Sequence, residues 1–358
     1  MGAPINLYGV HGKNALQEAS SRGALLVVQF LLDQGADANA PAHDDGGRTA
    51  LQTAVESGHD DIAKCLLDAK ADVRAPPAKQ RGMTVLEAFT YSSSYLSTKG
   101  FRDWLSRGAP INRPGGDYGN VLHLLVRQLS KPASKCLDLA LQAEARIEDK
   151  DQFDCGQKTP LQVAAEVGNL DYARLLLKYG AQVNAAPGDE FGRTALQAAA
   201  CGMRPADTPA MVELLLSVGA DVHAPPAKKG GITALQGAAI SGDISIAQQL
   251  IDHGADVNAA PAVEEGRTAH GRLDMVRFLI SVGAVPDTEK GFSRAIELAE
   301  NENHLTIADF SREQQELFAG FSTGMGDMFS GDLFSQGPKQ GFVSDENLGD
   351  FAFPMKRV

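Results

Sequence analysis

Apolar residues in this chain come in short paired bursts at helical spacing, separated by glycine. Within residues 156–185, Leu161, Ala164 and Ala165 make one narrow stripe and Leu170, Ala173, Leu175, Leu176 and Leu177 make a second, with Gly168 between them and Gly180 after them. This spacing predicts two short helices joined by a tight turn, the glycines supplying the left-handed conformation such turns require. Thr159 stands where an N-cap belongs, and Pro160 suits the first helical position, where a missing N–H loses nothing. Residues 181–185 then lead into an extended loop carrying Pro187.

The same order of signals recurs along the chain. Gly-Arg-Thr-Ala-Leu-Gln occupies residues 47–52 and 192–197, and returns with Ile for Arg at 231–236. Thr49 and Thr84, Thr159 and Thr194, and Thr233 and Thr268 are each 35 residues apart. A fixed period of this length predicts a solenoid, in which each unit buries its apolar face only against its neighbours. Units start near Asn14, Thr49, Thr84, Asn120, Thr159, Thr194, Thr233 and Thr268, and a last helix pair is expected over 292–318. Segments 91–100 and 203–209 are insertions that lengthen the inter-helix turns of the third and sixth units.

Thr-Pro/Ala-Leu-Gln, a mid-unit glycine, a Leu-Leu pair and Gly-Ala-Asp-Val-Asn-Ala, recurring in that order over roughly residues 1–310, resemble the ankyrin repeat. The resemblance implies an all-α ankyrin-repeat solenoid of stacked helix-turn-helix units with projecting β-hairpin fingers. It would span residues 1–320, as about eight units and a C-terminal helix pair. Within the family the chain looks most like fungal members, which often carry Leu-Gln where the general consensus has Leu-His; only His123 keeps the histidine. For His59 and His304, in inter-helix turns, the family implies a structural hydrogen bond. From Asn39 to Thr49, Arg74 to Thr84 and Asn184 to Thr194 is ten residues. Those fingers exceed the family pattern by about two, which accounts for a period longer than the usual ~33. Prolines at 41, 76, 77, 187, 225, 226 and 261 remove donors from the fingers and discourage strand pairing.

Departures from the pattern are equally informative. Lys70 and Glu144 stand where glycine ends the second helix of other units, so each is expected in a left-handed conformation costing about 1 kcal/mol. Residues 2–6 repeat residues 108–112, the tail of the third unit, so the chain reads as though it starts inside a repeat. On that reading it is a fragment, a trimmed gene model or a natural truncation, and the outer side of the first helix pair should be unusually apolar. The eighth unit has lost six residues between Gly266 and Gly271, most of its first helix, which predicts a weak joint to the C-terminal cap.

Composition narrows the function. A net charge of −12, with no basic group longer than Lys79-Gln80-Arg81 or Lys228-Lys229, argues against a nucleic-acid groove. The four cysteines, Cys65, Cys136, Cys155 and Cys201, show no CxxC spacing and read as free thiols in a reducing compartment. No signal peptide is visible, no apolar run is long enough for a membrane span, and Asn6 spoils a myristoylation pattern. A cytoplasmic or nuclear protein with no membrane partner is expected, and a monomer. Residues 321–358 leave the repeat grammar for a Gly/Phe/Asp-rich tail, expected to be disordered. Seven spaced phenylalanines from Phe318 onward read equally as linear motifs, as a cover for the solenoid end, or as misread codons.

No catalytic constellation emerges. Residues 320–324 fit GxSxG by chance, without the strand–turn–helix setting a nucleophile elbow needs, and no P-loop or HExxH accompanies them. No cofactor or metal is expected. What remains is recognition of another protein on the concave finger and first-helix face that the resemblance implies. Finger tips alternate in charge: Asp44 and Asp45, then Lys79 and Arg81, then Asp189 and Glu190, then Lys228 and Lys229, then Glu264 and Glu265. That alternation reads either as solvated fingers or as a charge-patterned groove. On the first helices, Glu56, Glu166, Ile240 and Ser241 lie just before the turn and are candidates to line the same face. A non-enzymatic scaffold or adaptor is expected. The alternative is the sensor or substrate-recruiting part of a larger regulator or enzyme whose catalytic or nucleotide-binding domain lies upstream of Met1.

Overall fold

The computed structural model describes residues 5–9, 12–44, 46–79, 81–92, 96–112, 120–128, 130–151, 157–202, 208–259, 278–279 and 281–282. Among these, helices come in consecutive pairs. They are α1 (Ala15–Ser21) and α2 (Leu25–Asp33), α3 (Ala50–Glu56) and α4 (Asp60–Asp68), α5 (Val85–Tyr91) and α6 (Thr98–Ser106), and α7 (Val121–Arg127) and α8 (Lys131–Gln142). The series continues with α9 (Pro160–Glu166) and α10 (Leu170–Lys178), α11 (Ala195–Ala200) and α12 (Thr208–Ser217), and α13 (Ala234–Ser241) and α14 (Ile244–Asp252). Each first helix packs on the first helices of the neighbouring pairs, and the second helices form a row behind them. One continuous apolar core runs through the stack.

The first helices are short, so their ends matter more than their propensity. Asn14, Thr49, Thr84, Asn120, Thr159, Thr194 and Thr233 each N-cap one, and each shares a reciprocal capping box with the residue three positions on. In five units that residue is Gln17, Gln52, Gln162, Gln197 or Gln236, whose amide then reaches the finger that follows. Gln52 Nε2 donates to the carbonyls of Ala75 and Pro76 at 3.2 and 3.4 Å, and Gln162 Nε2 to those of Ala185 and Ala186 at 2.9 and 3.4 Å. One buried side chain therefore closes a helix end and pins a loop whose carbonyls would otherwise lack partners.

The second helices α4, α10 and α14 each turn three residues inward, Ile62, Ala63 and Leu66 in α4. In α10 these are Tyr172, Ala173 and Leu176, whereas Leu170, Leu175 and Leu177 are only half-buried. The tyrosine was missing from the apolar stripe; its hydroxyl lies 2.9 and 3.3 Å from the Gln128 and Ser130 carbonyls of the preceding unit, which makes the ring's burial possible.

The fingers hold no extended strand among the described residues, only isolated bridges at Tyr8–Asn14 and Glu190–Lys229. They are tight turns, and the glycine that opens each repeated hexapeptide is what lets them close. A Cβ on Gly47 would stand 2.3 Å from the His43 nitrogen, and one on Gly192 2.2 Å from the Gly188 carbonyl oxygen. Asparagines tie each finger to the next unit: Asn39 accepts from the Asp72 N–H at 2.6 Å and donates to the Lys70 carbonyl at 3.0 Å, a pattern repeated at Asn112 and Asn184.

Lys70 and Glu144 adopt left-handed conformations, with φ of 64° and 59°. His59 differs from expectation: it sits at the N-cap of α4 but makes no side-chain capping bond, and its ring instead lies against Gly23 of the preceding turn. The segment 91–100 is also not wholly turn, because Ser97 caps α6 and residues 98–100 form its first turn. Cys65, Cys136 and Cys201 are free thiols. The shortened first helix of the eighth unit, the pair over 292–318, His304, Cys155, the motif at 320–324 and the tail lie outside the described residues, although Phe278 and Leu279 pack against the core.

Candidate functional site

The finger tips and the first-helix ends form the candidate face. Some of its charges are engaged with one another. Lys79 Nζ lies 2.9 Å from Asp44 Oδ2, joining the basic tip of one finger to the acidic tip of the one before. That hydrogen bond holds the Asp44 carboxyl below its usual range. Both side chains are exposed, so the pair contributes little to stability. Arg48 crosses the same gap, donating to the Arg81 carbonyl at 2.9 Å. The alternation of sign along the tips therefore reflects, at least in this pair, contact between adjacent fingers.

A second finger pair is joined differently. Phe191 N–H donates to the Lys229 carbonyl at 2.8 Å, and Lys229 Nζ stands 5.9 Å from the centroid of the Phe191 ring, within cation–π reach. The ring lies on Gly230, where an added Cβ would approach it to 2.2 Å. Phe191 is 43% exposed and holds φ at 51°, in the turn position that Gly46 and Gly230 fill with φ of 66° and 62° and Arg81 with φ of 49°. A bulky residue there is strained, on the order of 1–3 kcal/mol, and such strain concentrates at recognition sites. Asp189, Glu190 and Lys228 are exposed around it.

The first-helix candidates are tied inward. Glu56 pairs with Arg48 Nε at 3.0 Å, and both Glu166 oxygens lie within 3.0 Å of Lys158 Nζ. In each case the cation precedes the N-cap threonine and the carboxylate ends the same helix, so the pair staples a helix along its length. Ser241 Oγ is placed to donate to the Ala200 and Ala238 carbonyls, at 3.2 and 3.0 Å, and Ile240 is half-buried. Arg81 is exposed. Asp45, Glu264 and Glu265 lie outside the described residues.

Among the described residues Tyr8, Phe30, Tyr91, Tyr179 and Phe191 are exposed aromatics, and Phe191 sits at a finger tip. For Phe191 a signal existed, since it stands where Gly46 and Gly230 stand in other fingers, just before the recurring Gly192-Arg193-Thr194. Deeper in, Asp151 is fully buried against Arg127 and accepts from the Lys158 N–H at 2.8 Å. Burial holds the His123 imidazole below its usual pKa, and its Nε2 lies 2.8 Å from the Lys158 carbonyl, where a neutral ring donates. These groups organise one finger. Among the described residues no cluster of His, Cys, Asp and Glu is placed to hold a metal, and no helix is long and apolar enough to cross a membrane.

Comparison with known proteins gives a consistent picture. A family model described as "Ankyrin repeats (3 copies)" matches residues 2–76, 122–226 and 185–261. A search of curated proteins finds no significant match. Among solved structures, the crystal structure of the human ASB11 ankyrin repeat domain is similar with a TM-score of 0.50 and 26% identity, covering 70% of this chain and 100% of that one.

Proposed function

The chain belongs to the ankyrin-repeat family, and from that premise we propose that it is a non-enzymatic scaffold or adaptor that binds a protein partner through its finger tips and first-helix ends. Ankyrin repeats generally mediate protein–protein interaction and are typically non-catalytic. The observation that carries the location is Phe191: an exposed aromatic held in a strained turn, flanked by an acidic and a basic tip. Exposed aromatic side chains beside charge are the usual anchors of protein interfaces. The paired Asp44–Lys79 tips and the stapled Glu56 and Glu166 then serve as framing, keeping the fingers in register. The partner we infer carries an apolar pocket bordered by both signs of charge. A cytoplasmic or nuclear setting and a fungal affinity remain part of this proposal, the latter resting on the Leu-Gln pairs alone.

The test is affinity capture with the full chain, with Phe191→Gly, and with Lys228→Glu/Lys229→Glu, each read by mass spectrometry. Glycine is tolerated at this turn position in other fingers, so Phe191→Gly should fold. Loss of the same captured protein from both variants supports the proposal. An unchanged captured set removes this finger pair from the interface.

A further inference from the structure

In four of the described units a cation stands just before the N-cap of the first helix: Lys13, Arg48, Lys158 and Arg193. Three of them meet a carboxylate of their own helix. Lys13 lies 3.6 Å from Glu18, Arg48 Nε 3.0 Å from Glu56, and Lys158 Nζ 2.9 Å from Glu166. In the last two pairs the cation's side chain is only 12% exposed, so its place strips water from the charge and the carboxylate restores the balance. Arg193 stands in the same place and is half-buried, but it makes no hydrogen bond or ion pair among the described residues. Eight positions on, where the other units have Glu56 and Glu166, stands Cys201. The helix between them, α11, has six residues where the other first helices have seven or eight, which leaves its end short. Nearby carboxylates do not substitute. Both Glu166 oxygens are held by Lys158, and Asp189 and Glu190 are exposed at the finger tip. On the other side, the seventh unit puts Ile232 and Ile240 at the two equivalent positions.

We propose that Arg193 determines specificity on the recognition face by taking an acidic side chain of the bound protein, which enters the place that Glu56 and Glu166 fill in their own units. The inference rests on the finger-face reading above and gives that face a chemistry. What fills the place is argued from the chain itself, since two sibling units put a carboxylate there. A guanidinium is suited to the same exchange across an interface, because it meets a carboxylate with paired, charge-assisted hydrogen bonds. The surroundings add a second requirement. Phe191 lies two residues before Arg193, and Ile240 is half-buried one unit on. Packed helices lie about 8–10 Å apart, which an extended segment spans in about three residues. The bound segment therefore carries an aspartate or glutamate about three positions from an apolar residue.

Panning a displayed library of random peptides on the full chain tests it. The expected result is a set of enriched sequences that share an acid with an apolar residue about three positions away. For a synthetic peptide of such a sequence, Arg193→Gln and Cys201→Glu should each raise the dissociation constant by about tenfold or more. The second acts because the chain's own carboxylate then occupies the place. Changing the peptide's acid to lysine should abolish binding to the parent chain and restore it to Arg193→Glu. Without any peptide, Cys201→Glu should melt at a higher temperature than Cys201→Gln, and adding Arg193→Gln should erase that difference. Enriched peptides without a shared acid, no enrichment, or equal melting of the two Cys201 variants would overturn the proposal. Peptides weakened by Phe191→Gly or by Lys228→Glu/Lys229→Glu, but not by Arg193→Gln, would overturn it and leave the finger face in place. Indifference to every one of these substitutions would overturn both.

Discussion

Glu87 should make the third unit sensitive to pH, and replacing it with glutamine should abolish that sensitivity. It fills the capping-box position held by glutamine in five other units, and it is buried. One oxygen accepts from the Thr84 N–H at 2.8 Å, but a carboxylate has no donor to offer where the glutamines reach their fingers. Burial pushes its pKa from 4.5 up to about 7, against the opposing pull of the Thr84 bonds and the charge of Arg48. A carboxyl whose pKa rises on folding contributes stability fully below its unfolded pKa and loses it as pH rises through the folded one. The gap corresponds to about 3 kcal/mol at pH 8, but to less than about 1 kcal/mol at pH 5. Glu87→Gln keeps the acceptor, adds an amide and carries no charge. It should therefore stabilise the protein by up to about 3 kcal/mol at pH 8 and by little at pH 5. Urea unfolding followed by far-UV circular dichroism at the two pH values reads the difference. A gain of equal size at both would show that Glu87 is not desolvated as described.

Other consequences follow from the turns and tips. Lys70→Gly and Glu144→Gly should each raise stability by about 1 kcal/mol and add, since both relieve a left-handed side chain in separate units; thermal denaturation of the single and double variants checks this. Gly192→Ala should destabilise by on the order of 2–4 kcal/mol, because its Cβ has no room against the Gly188 carbonyl. Gly180→Ala meets nothing within 4 Å and should cost only about 1 kcal/mol, for its positive φ. Lys79→Ala should change stability by less than about 1 kcal/mol, since its pair with Asp44 is solvent-exposed; a larger loss in the denaturation midpoint would mean that the tip pair clamps the fingers.

Local chemistry made much of this architecture readable in advance. Thr159 and Pro160 announce a helix start because capping depends on neighbours in sequence, and Lys70 announces its strain because the turn geometry is local. The apolar outer side expected of the first helix pair is seen at Leu26, Val27 and Phe30. Contacts across one period were harder to read. Asp44 and Lys79 are 35 residues apart, so the period that reveals the solenoid also places them side by side, a pairing that the charge of each finger taken singly does not disclose. Tyr172 depends on carbonyls 42 and 44 residues away, and its burial follows from the stack and not from its own helix. The third unit shows how the fold outlasts its consensus. Residues 77–121 fall between the matched stretches of the family model, yet α5 keeps the Thr84–Glu87 capping box and takes its place between α3 and α7.

The most direct test of the recognition face is hydrogen exchange on the full chain with and without the protein it captures. Protection is predicted on the finger loops around Phe191 and Lys229 and at the C-terminal ends of α9, α11 and α13. Protection confined to the outer sides of the second helices, or absent from both fingers, would contradict a partner bound at the finger tips.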